Sequence, residues 1–297
     1  MAVKVAINGF GRIGRSVLRA WALGGGRLGP HWPEIEIVAI NDIAPAETCA
    51  YLFEFDSVFG PYPGEVAIDE SHLIIDGRKI RLTMERDAAA LPLKDIDILM
   101  ECTGRGSRDV AEAALNAGAG RVLISGPAPK PDLTLVLGAN DAELTADHRI
   151  VSNASCTTNC LAPLAKILND KWGLKRGFMS TIHSYTGDQR LLDAPHEDLR
   201  RARSAAENIV PSSTGAARAI GLVIPELNGK LNGGAFRVPT PTGSLTDLVA
   251  ELESEATAEE INAAFKEAAE GPLKGVLHYS EMPLVLQDIV GDPHSSI

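Results

Sequence analysis

The sequence has few cysteines, no long apolar run and no excess of positive charge. Its four cysteines, in a chain of 297 residues, are too few for a disulfide framework and favour a reducing, cytoplasmic setting. No apolar run approaches the length of a membrane span, and the first residues do not show the charged and apolar regions of a signal peptide. The formal net charge of −11 argues against nucleic acid or an anionic membrane as the main partner.

The length and composition point to a soluble protein of two domains. A chain of 297 residues is long for one domain, and 45% hydrophobic with 23% charged residues is usual for a globular protein. No internal repeat or low-complexity segment stands out. Because the overall charge is negative, an anionic substrate would need a local group of cationic side chains.

A glycine-rich segment near the start predicts a dinucleotide-binding domain. The strand pattern of residues 3–8 is followed by Gly9, Gly11 and Gly14 in GxGxxG spacing, and then by a helix pattern over residues 15–23. Gly9 permits the tight turn, Gly11 lets the backbone approach a pyrophosphate, and Gly14 lets helix and strand pack closely. The helix N-terminus offers free N–H groups to the phosphates.

A carboxylate follows the second strand pattern, residues 36–40. Asp42 at this position can accept both ribose hydroxyls of NAD and would repel the 2′-phosphate of NADP. Its spacing from Gly14 exceeds the usual value of about 20 residues. The stretch from Gly24 to Pro33, which contains three consecutive glycines, looks like a loop insertion that explains the excess. The alternative is an ordinary turn-forming aspartate.

Further strand and helix patterns alternate along the first half. Strands are predicted over residues 97–101, 121–125 and 133–137, and a helix over residues 109–117. Strands that alternate with helices favour a parallel, doubly wound α/β sheet. The stretch 69–83 instead predicts a β-hairpin with Asp76-Gly77 at its turn.

A cysteine precedes a helix pattern in the second half. The polar stretch from Ser152 to Cys160 comes before a predicted amphipathic helix over residues 161–168. Cys156 therefore lies near a helix N-terminus, where the dipole and free N–H groups favour a nucleophilic thiolate. Position alone also allows a small buried residue. A metal site is not favoured, since no further His or Cys pair has zinc-site spacing.

Histidine and arginine supply the other candidate groups. His183 is a candidate base and thiolate partner for Cys156, although a lone histidine is more often a hydrogen-bonded structural residue. The arginine-rich run at residues 200–203, Arg237 and the hydroxyl-rich residues 211–217 could together hold phosphate groups. The alternative is a solvated basic helix face beside an ordinary capped helix.

Six segments taken in order are similar to the glyceraldehyde-3-phosphate dehydrogenase family: INGFGRIGR, SNASCTTNCLAP, HSYTGDQ, DLRRAR, PSSTGAA and RVPTPTGSLTDL. The resemblance extends across essentially the whole chain, and SNASCTTNC is its most specific part. It implies a Rossmann-type NAD-binding domain over residues 1–155 and an α+β catalytic domain with a mixed sheet over residues 156–297. It also implies a homotetramer and a long loop over about residues 177–203 that lines a neighbour's cofactor site.

The resemblance implies covalent catalysis on glyceraldehyde 3-phosphate. Cys156 would attack the aldehyde carbon, and His183 would act as base and then stabilise the oxyanion with the Cys156 backbone N–H. Hydride transfer to NAD would leave a thioacyl enzyme, and inorganic phosphate would release the product as an acyl phosphate.

The resemblance also assigns binding residues. Those for substrate and phosphate are Ser155, Thr157, Thr186, Arg200, Thr214, Gly215 and Arg237. Those for the cofactor are the three glycines with Arg12, Ile13, Asp42, Arg86 and Ser125. The arginine-rich run aligns with the family in more than one register, and Arg200 follows from one of them. Asp42 favours NAD, and dual use of NADP, suggested by the small Ala194-Pro195, is the minority interpretation. No metal is expected.

One departure from the family and two alternative functions remain. The family continues for a few dozen residues beyond the segment matching PHSSI, whereas this sequence stops at Ile297, so we expect impaired activity. Erythrose-4-phosphate dehydrogenase shares the cysteine and histidine chemistry and is the nearest alternative. A catalytically impaired homologue with a binding role is the alternative of another class.

Overall fold

The computed structural model describes residues 2–24 and 31–297. Two compact units divide the chain. The first runs to Leu135 and includes Glu143–Ala154, and the second contains Val136–Ala142 and Ser155–Ile297. Residues 25–30 of the expected loop insertion lie outside the described part of the chain. No helix among the described residues is long and apolar enough to cross a membrane.

The first unit is an α/β structure built on one large sheet. The strands of the unit are β1 (Val3–Asn8), β2 (Ile35–Asn41), β3 (Phe55–Asp56), β4 (Gly60–Pro61), β5 (Val66–Ile68), β6 (His72–Ile75), β7 (Arg78–Thr83), β8 (Ile98–Glu101), β9 (Arg121–Ile124), β10 (Leu133–Thr134) and β11 (Ile150–Ser152). Strands β3 and β4 pair with each other as a separate two-stranded sheet. Its α-helices are α1 (Arg12–Ala22), α2 (Ala46–Glu54) and α3 (Arg108–Asn116).

The large sheet has the order β10-β11-β9-β8-β1-β2-β7-β6-β5. Strands from β10 to β7 pair in parallel, and β6 and β5 continue the sheet antiparallel. Val5 and Ile7 of β1 join a buried cluster with Leu18 of α1, whereas Ala6 joins a second cluster with Ala111 of α3. Both faces of the central strands are therefore covered, and the predicted doubly wound fold is confirmed.

Two local predictions in this unit need adjustment. Helix α1 begins at Arg12, three residues before the predicted start, because Gly11 already adopts the N-cap position. The predicted strand over residues 133–137 ends at Thr134. The backbone N–H of Val136 donates to the side chain of Asn140 at 2.9 Å, so the chain turns there instead of extending the strand. The hairpin turn is confirmed, with φ of 48° at Asp76 and 76° at Gly77.

The second unit has a mixed sheet and an adjacent helical layer. Its strands are β12 (Leu174–Ser184), β13 (Val210–Ser212), β14 (Leu231–Val238) and β15 (Ser244–Leu252), in the order β13-β14-β12-β15. Its α-helices are α4 (Cys156–Trp172), α5 (Ala216–Val223), α6 (Ala258–Glu270) and α7 (Leu286–Ile289). Strands β12 and β14 are parallel, and both other pairings are antiparallel, which confirms the expected mixed sheet.

The long loop of the second unit begins later than the resemblance suggests. Residues 177–184 are not part of it, because they pair on both sides as the central strand β12. Helix α4 is longer than the predicted segment of residues 161–168, since it begins at Cys156 and tolerates Pro163 in its interior. Both differences arise from tertiary pairing and packing that a local pattern does not contain.

Candidate active site

Cys156 is the first residue of α4. The side chain of Ser155 caps this helix by accepting the backbone N–H of Thr158 at 3.0 Å. Ala154, the residue before the cap, has a φ of 55°, a left-handed conformation that costs energy for a residue with a Cβ. This turn leaves the Cys156 thiol exposed at the positive end of a helix of 17 residues.

His183 lies beside the thiol. Its Nε2 is 3.1 Å from the Cys156 Sγ, and its Nδ1 is 2.8 Å from the carbonyl oxygen of Ser184. Nδ1 lies between the Ser184 carbonyl, which accepts, and Arg237 Nη1 at 2.8 Å, which donates, and these two contacts direct Nε2 to the sulfur. Desolvation raises the pKa of the Cys156 thiol. The hydrogen bond and charge of His183, followed by the hydrogen bonds with Thr157, outweigh this effect and bring the pKa below its ordinary value.

Arg237 occupies the neighbouring strand. It is the register partner of His183 between β14 and β12. Its Nη1 donates to the Ser184 carbonyl at 3.0 Å and to Thr186 Oγ1 at 3.2 Å. Its Nε is buried without a hydrogen-bond partner among the described residues. Burial lowers the pKa of Arg237 and the charge of Asp188 opposes this effect, so the residue is a partly buried cation with an unused donor.

A second arginine joins this group, and it is Arg201 instead of Arg200. Its guanidinium pairs with Asp188 and donates from Nε to Ser212 Oγ at 3.0 Å. Asp188 also accepts the hydroxyl of Thr186. Arg200 is exposed, and its backbone N–H donates to Asp198. Consecutive arginines in a turn point in different directions, which explains why the sequence did not distinguish them.

Two helix N-termini meet near Cys156. Gly215 is the N-cap of α5, and Thr214 Oγ1 accepts the backbone N–H of Ala216 at 3.1 Å. The hydroxyl of Thr158 reaches the Ala216 carbonyl at 3.4 Å and joins the starts of α4 and α5. The hydroxyls and free N–H groups expected from Ser155, Thr157, Thr214 and Gly215 therefore lie around two positive helix ends, an arrangement suited to an anion.

In the first unit, the three glycines have different surroundings. A Cβ on Gly9, whose φ is 93°, would lie 2.6 Å from the Thr103 backbone nitrogen. A Cβ on Gly14 would lie 2.2 Å from the Gly9 carbonyl oxygen. A Cβ on Gly11 would meet nothing within 4 Å, so the fold leaves open space beside the start of α1. These features match the tight turn, close packing and phosphate approach expected of such a loop.

The other predicted cofactor residues lie at the carboxyl ends of strands or beside the loop. Asp42 follows β2, and its carboxylate accepts the backbone N–H groups of Phe10 at 2.6 Å and Ala44 at 2.9 Å. Arg12 pairs with Asp56, and Ile13 is exposed. Arg86 is exposed after β7, and Ser125 follows β9. Asp42 is therefore held directly against the glycine-rich turn.

A buried polar network supports this edge of the sheet and was not singled out from the sequence. Glu101, which is 1% exposed, accepts Asn8 Nδ2 at 2.5 Å and the Thr103 backbone N–H at 2.9 Å. Asn8 Oδ1 accepts Asn41 Nδ2 at 2.8 Å. Glu101, Asn8 and Asn41 each end a parallel strand, and a polar residue closing an apolar strand is the signal that could have revealed them.

Comparison with known proteins assigns both halves of the chain to one family. Residues 3–109 match the family model "Glyceraldehyde 3-phosphate dehydrogenase, NAD binding domain", and residues 155–297 match its "C-terminal domain". Glyceraldehyde-3-phosphate dehydrogenase 1 of Bacillus subtilis is 57% identical over 301 residues, covering 100% of this chain and 87% of the relative. The enzymes named glyceraldehyde-3-phosphate dehydrogenase of Geobacillus stearothermophilus and Mycolicibacterium smegmatis are 55% and 54% identical, with 100% of this chain and 87% and 88% of the relatives covered.

Proposed function

The chain belongs to the glyceraldehyde-3-phosphate dehydrogenase family, and from this premise we propose that Cys156 and His183 are its catalytic pair. It is an NAD-dependent phosphorylating aldehyde dehydrogenase that oxidises glyceraldehyde 3-phosphate to 1,3-bisphosphoglycerate in glycolysis. The observation that carries the assignment is the distance of 3.1 Å between Cys156 Sγ and His183 Nε2 at the start of a capped helix. The free state of all four cysteines fits a reducing cytoplasm.

The proposed reaction begins with the thiolate. Cys156 Sγ attacks the aldehyde carbon, and the new alkoxide is stabilised by His183 Nε2–H and the Cys156 backbone N–H. His183 passes its Nε2 proton to the alkoxide, and it takes this proton back from the resulting hemithioacetal hydroxyl as hydride leaves the carbon, which gives a thioester on Cys156. Phosphate then attacks the thioester carbon, so that the C–S bond breaks, the acyl phosphate leaves and the thiolate is restored.

Two anionic groups must be held in this reaction, the phosphate of the substrate and inorganic phosphate. We assign them to the cationic and hydroxyl groups around the catalytic pair. In place of Arg200, we propose Arg201, because its guanidinium contacts Asp188 and Ser212 beside Thr186. The remaining binding residues are those expected from the resemblance: Ser155, Thr157, Thr186, Thr214, Gly215 and Arg237. Arg237 is supported by its buried Nε without a partner.

The first unit fits NAD, which supplies the hydride acceptor when bound. The open space beside Gly11 and the free N–H groups of α1 suit a pyrophosphate. Asp42, held against the turn, is the proposed partner of the adenosine ribose and favours NAD over NADP. Arg12, Ile13, Arg86 and Ser125 complete the proposed contacts.

A pair of glycine variants separates folding from cofactor binding. Gly14→Ala should destabilise the protein by about 1–3 kcal/mol, because its Cβ would lie 2.2 Å from the Gly9 carbonyl oxygen. Gly11→Ala should leave the thermal unfolding midpoint nearly unchanged and weaken NAD binding by roughly tenfold or more, because the methyl group would occupy the space for the pyrophosphate. Thermal unfolding and a fluorescence titration with NAD measure both effects. Unchanged NAD affinity in Gly11→Ala would contradict the proposed pyrophosphate position.

The expected homotetramer has a candidate contact surface in the second unit. The mixed sheet presents one face to solvent, with Phe178 and Ile182 of β12 exposed at 53% and 36% and Val249 of β15 at 69%. Phe178 and Val249 are register partners, as are Ile182 and Leu245, so these side chains share one face, on which Ser180 and Asp247 form the intervening polar pair. A surface of this kind is unusual in a monomer, and we propose that a second copy of the chain covers it.

Charge on this face should prevent self-association. Val249→Glu would place an unpaired carboxylate in the proposed contact, so sedimentation equilibrium at micromolar concentration should detect a species with fewer subunits than the unsubstituted protein. Leu222→Glu is the matched control, since Leu222 is 68% exposed on α5, outside the sheet face. An unchanged mass for Val249→Glu would refute the use of this face.

Turnover measurements distinguish the proposed function from its rivals. Reduction of NAD with glyceraldehyde 3-phosphate should require inorganic phosphate, and kcat/KM should exceed that for erythrose 4-phosphate. In the same assay Arg201→Ala should raise the KM for phosphate or substrate more than Arg200→Ala does. A higher kcat/KM for the tetrose would favour the erythrose-4-phosphate enzyme, and a folded protein without turnover would favour a binding role.

A further inference from the structure

Two histidines and an aspartate meet near the end of the second unit, away from the catalytic pair. One ligand atom from each of His278, Asp292 and His294 lies within 4.8 Å of those of the other two. His294 Nδ1 is 2.7 Å from Asp292 Oδ1, and His278 Nδ1 is 3.9 Å from Asp292 Oδ2. None of these residues belongs to the catalytic or cofactor positions, so the cluster has no part in the proposed reaction.

The backbone holds these residues in place before any ligand arrives. The His278 backbone N–H donates to the Ser296 carbonyl at 2.9 Å, and the Ser295 backbone N–H donates to the Val276 carbonyl at 2.9 Å. The Ser296 hydroxyl in turn donates to the Cys160 carbonyl of α4 at 3.3 Å. Leu277 and Ser296 are each only 4% exposed. Two chain segments distant in sequence are therefore tied to each other and to a helix, which preorganises the cluster.

The cluster also opens into free space. His278 and His294 line a surface cavity of about 400 Å³. Its wall carries Glu270 and Glu281 together with Lys266 and Lys274, so the two signs of charge nearly balance there. The local field alone would therefore not attract a cation strongly. The selectivity of the site must come from its donor atoms, and the cavity leaves room for a water as an additional ligand.

We propose that His278, Asp292 and His294 form a binding site for a divalent transition-metal ion of the zinc class. Two imidazoles and one carboxylate are a donor set for Zn²⁺ and related ions, whereas Mg²⁺ and Ca²⁺ prefer oxygen ligands throughout. Tetrahedral zinc with bonds of about 2.0–2.1 Å places its ligand atoms about 3.3 Å apart. The three ligand atoms already lie within 4.8 Å of one another, and a metal ion would replace the hydrogen bond between His294 Nδ1 and Asp292 Oδ1 as the side chains rotate toward it.

Cobalt is the probe that reports both binding and ligand type. The full chain carrying Cys156→Ser, which removes the competing catalytic thiolate, is titrated with Co²⁺ and followed by visible absorption. We expect a saturable band with one equivalent of Co²⁺, no thiolate-to-cobalt charge-transfer absorption, and loss of the band on addition of Zn²⁺. Zn²⁺ should also raise the thermal unfolding midpoint, because it binds the folded segments together.

Matched variants locate the site. Asp292→Asn and His294→Ala should each weaken Co²⁺ binding by roughly tenfold or more, and His278→Ala, whose side chain is 44% exposed, should do so without loss of folding. His72→Ala is the control, because His72 also pairs with an aspartate, Asp69, but has no second histidine beside it among the described residues. The proposal is overturned if no saturable band appears, or if Co²⁺ affinity in the folded His278→Ala and Asp292→Asn proteins equals that of the control.

Discussion

Replacing Cys156 with serine should lower kcat for phosphate-dependent NAD reduction by at least about 10³-fold. In the proposed mechanism the sulfur forms the covalent intermediate, and a serine hydroxyl at the same position is far less ionised at neutral pH. Because the substitution removes little volume and leaves the Ser155 cap unchanged, the thermal unfolding midpoint and NAD affinity should stay close to those of the unsubstituted protein. Stopped-flow absorbance of reduced nicotinamide measures the first turnover.

Cys160→Ser is the matched control for this experiment. Cys160 lies one helical turn from Cys156, and its Sγ is 3.5 Å from the Ser296 hydroxyl instead of facing His183. The Cys160→Ser variant should therefore retain most of the activity of the unsubstituted protein. Equal loss of activity in both variants would mean that the start of α4, and not one nucleophile, had been damaged. Substantial phosphate-dependent turnover by Cys156→Ser would remove the thioester from the mechanism.

Replacing His183 with glutamine should lower kcat by about 10²–10⁴-fold, the usual contribution of a general acid–base group. It should also change the pH dependence of Cys156 alkylation. His183 lowers the pKa of the thiol, so the thiolate is present above that lowered pKa and is lost as the pH falls through it. Without His183 the pKa rises, and rapid alkylation by iodoacetamide should require a higher pH.

The kcat and the pH dependence of Cys156 alkylation together distinguish two roles of His183, as the base of the reaction and as the group that lowers the pKa of the thiol. A slow enzyme with an unchanged alkylation profile would show that the start of α4 alone maintains the thiolate and that His183 acts only later in the reaction. An unchanged kcat would reject His183 as the base. His196→Gln is a suitable control, since the Nδ1 of His196 accepts the Asp198 backbone N–H in the neighbouring loop and is not in contact with the thiol.

Several features of the site were predictable because they depend on residues close together in the chain. The strand, the glycine-rich turn and helix α1 follow one another within the first 22 residues. The placement of Cys156 at a helix start follows from the polar residues before an amphipathic segment. Asp42 was recognisable because it directly follows the second predicted strand and the glycine-rich motif precedes that strand.

Other features could not be predicted from the sequence, because they depend on contacts that only the folded chain makes. The choice of Arg201 over Arg200 depends on the local direction of a turn without periodic structure. The late start of the long loop depends on β12 pairing with β14 and β15, which are distant in sequence. The cluster of His278, Asp292 and His294 has no regular spacing, and it exists because two segments are joined by backbone hydrogen bonds.

The sequence by itself determined the α/β class, the cofactor loop and the placement of Cys156 near a helix start, since each depends on a short run of neighbouring residues. Only the tertiary structure decided that His183 meets Cys156 at 3.1 Å and that Arg237 lies beside it. Those contacts join a helix start to two strands whose register is set by the pairing of the whole sheet. Local propensity cannot specify such pairing, because the free energy that selects it comes from packing between distant segments.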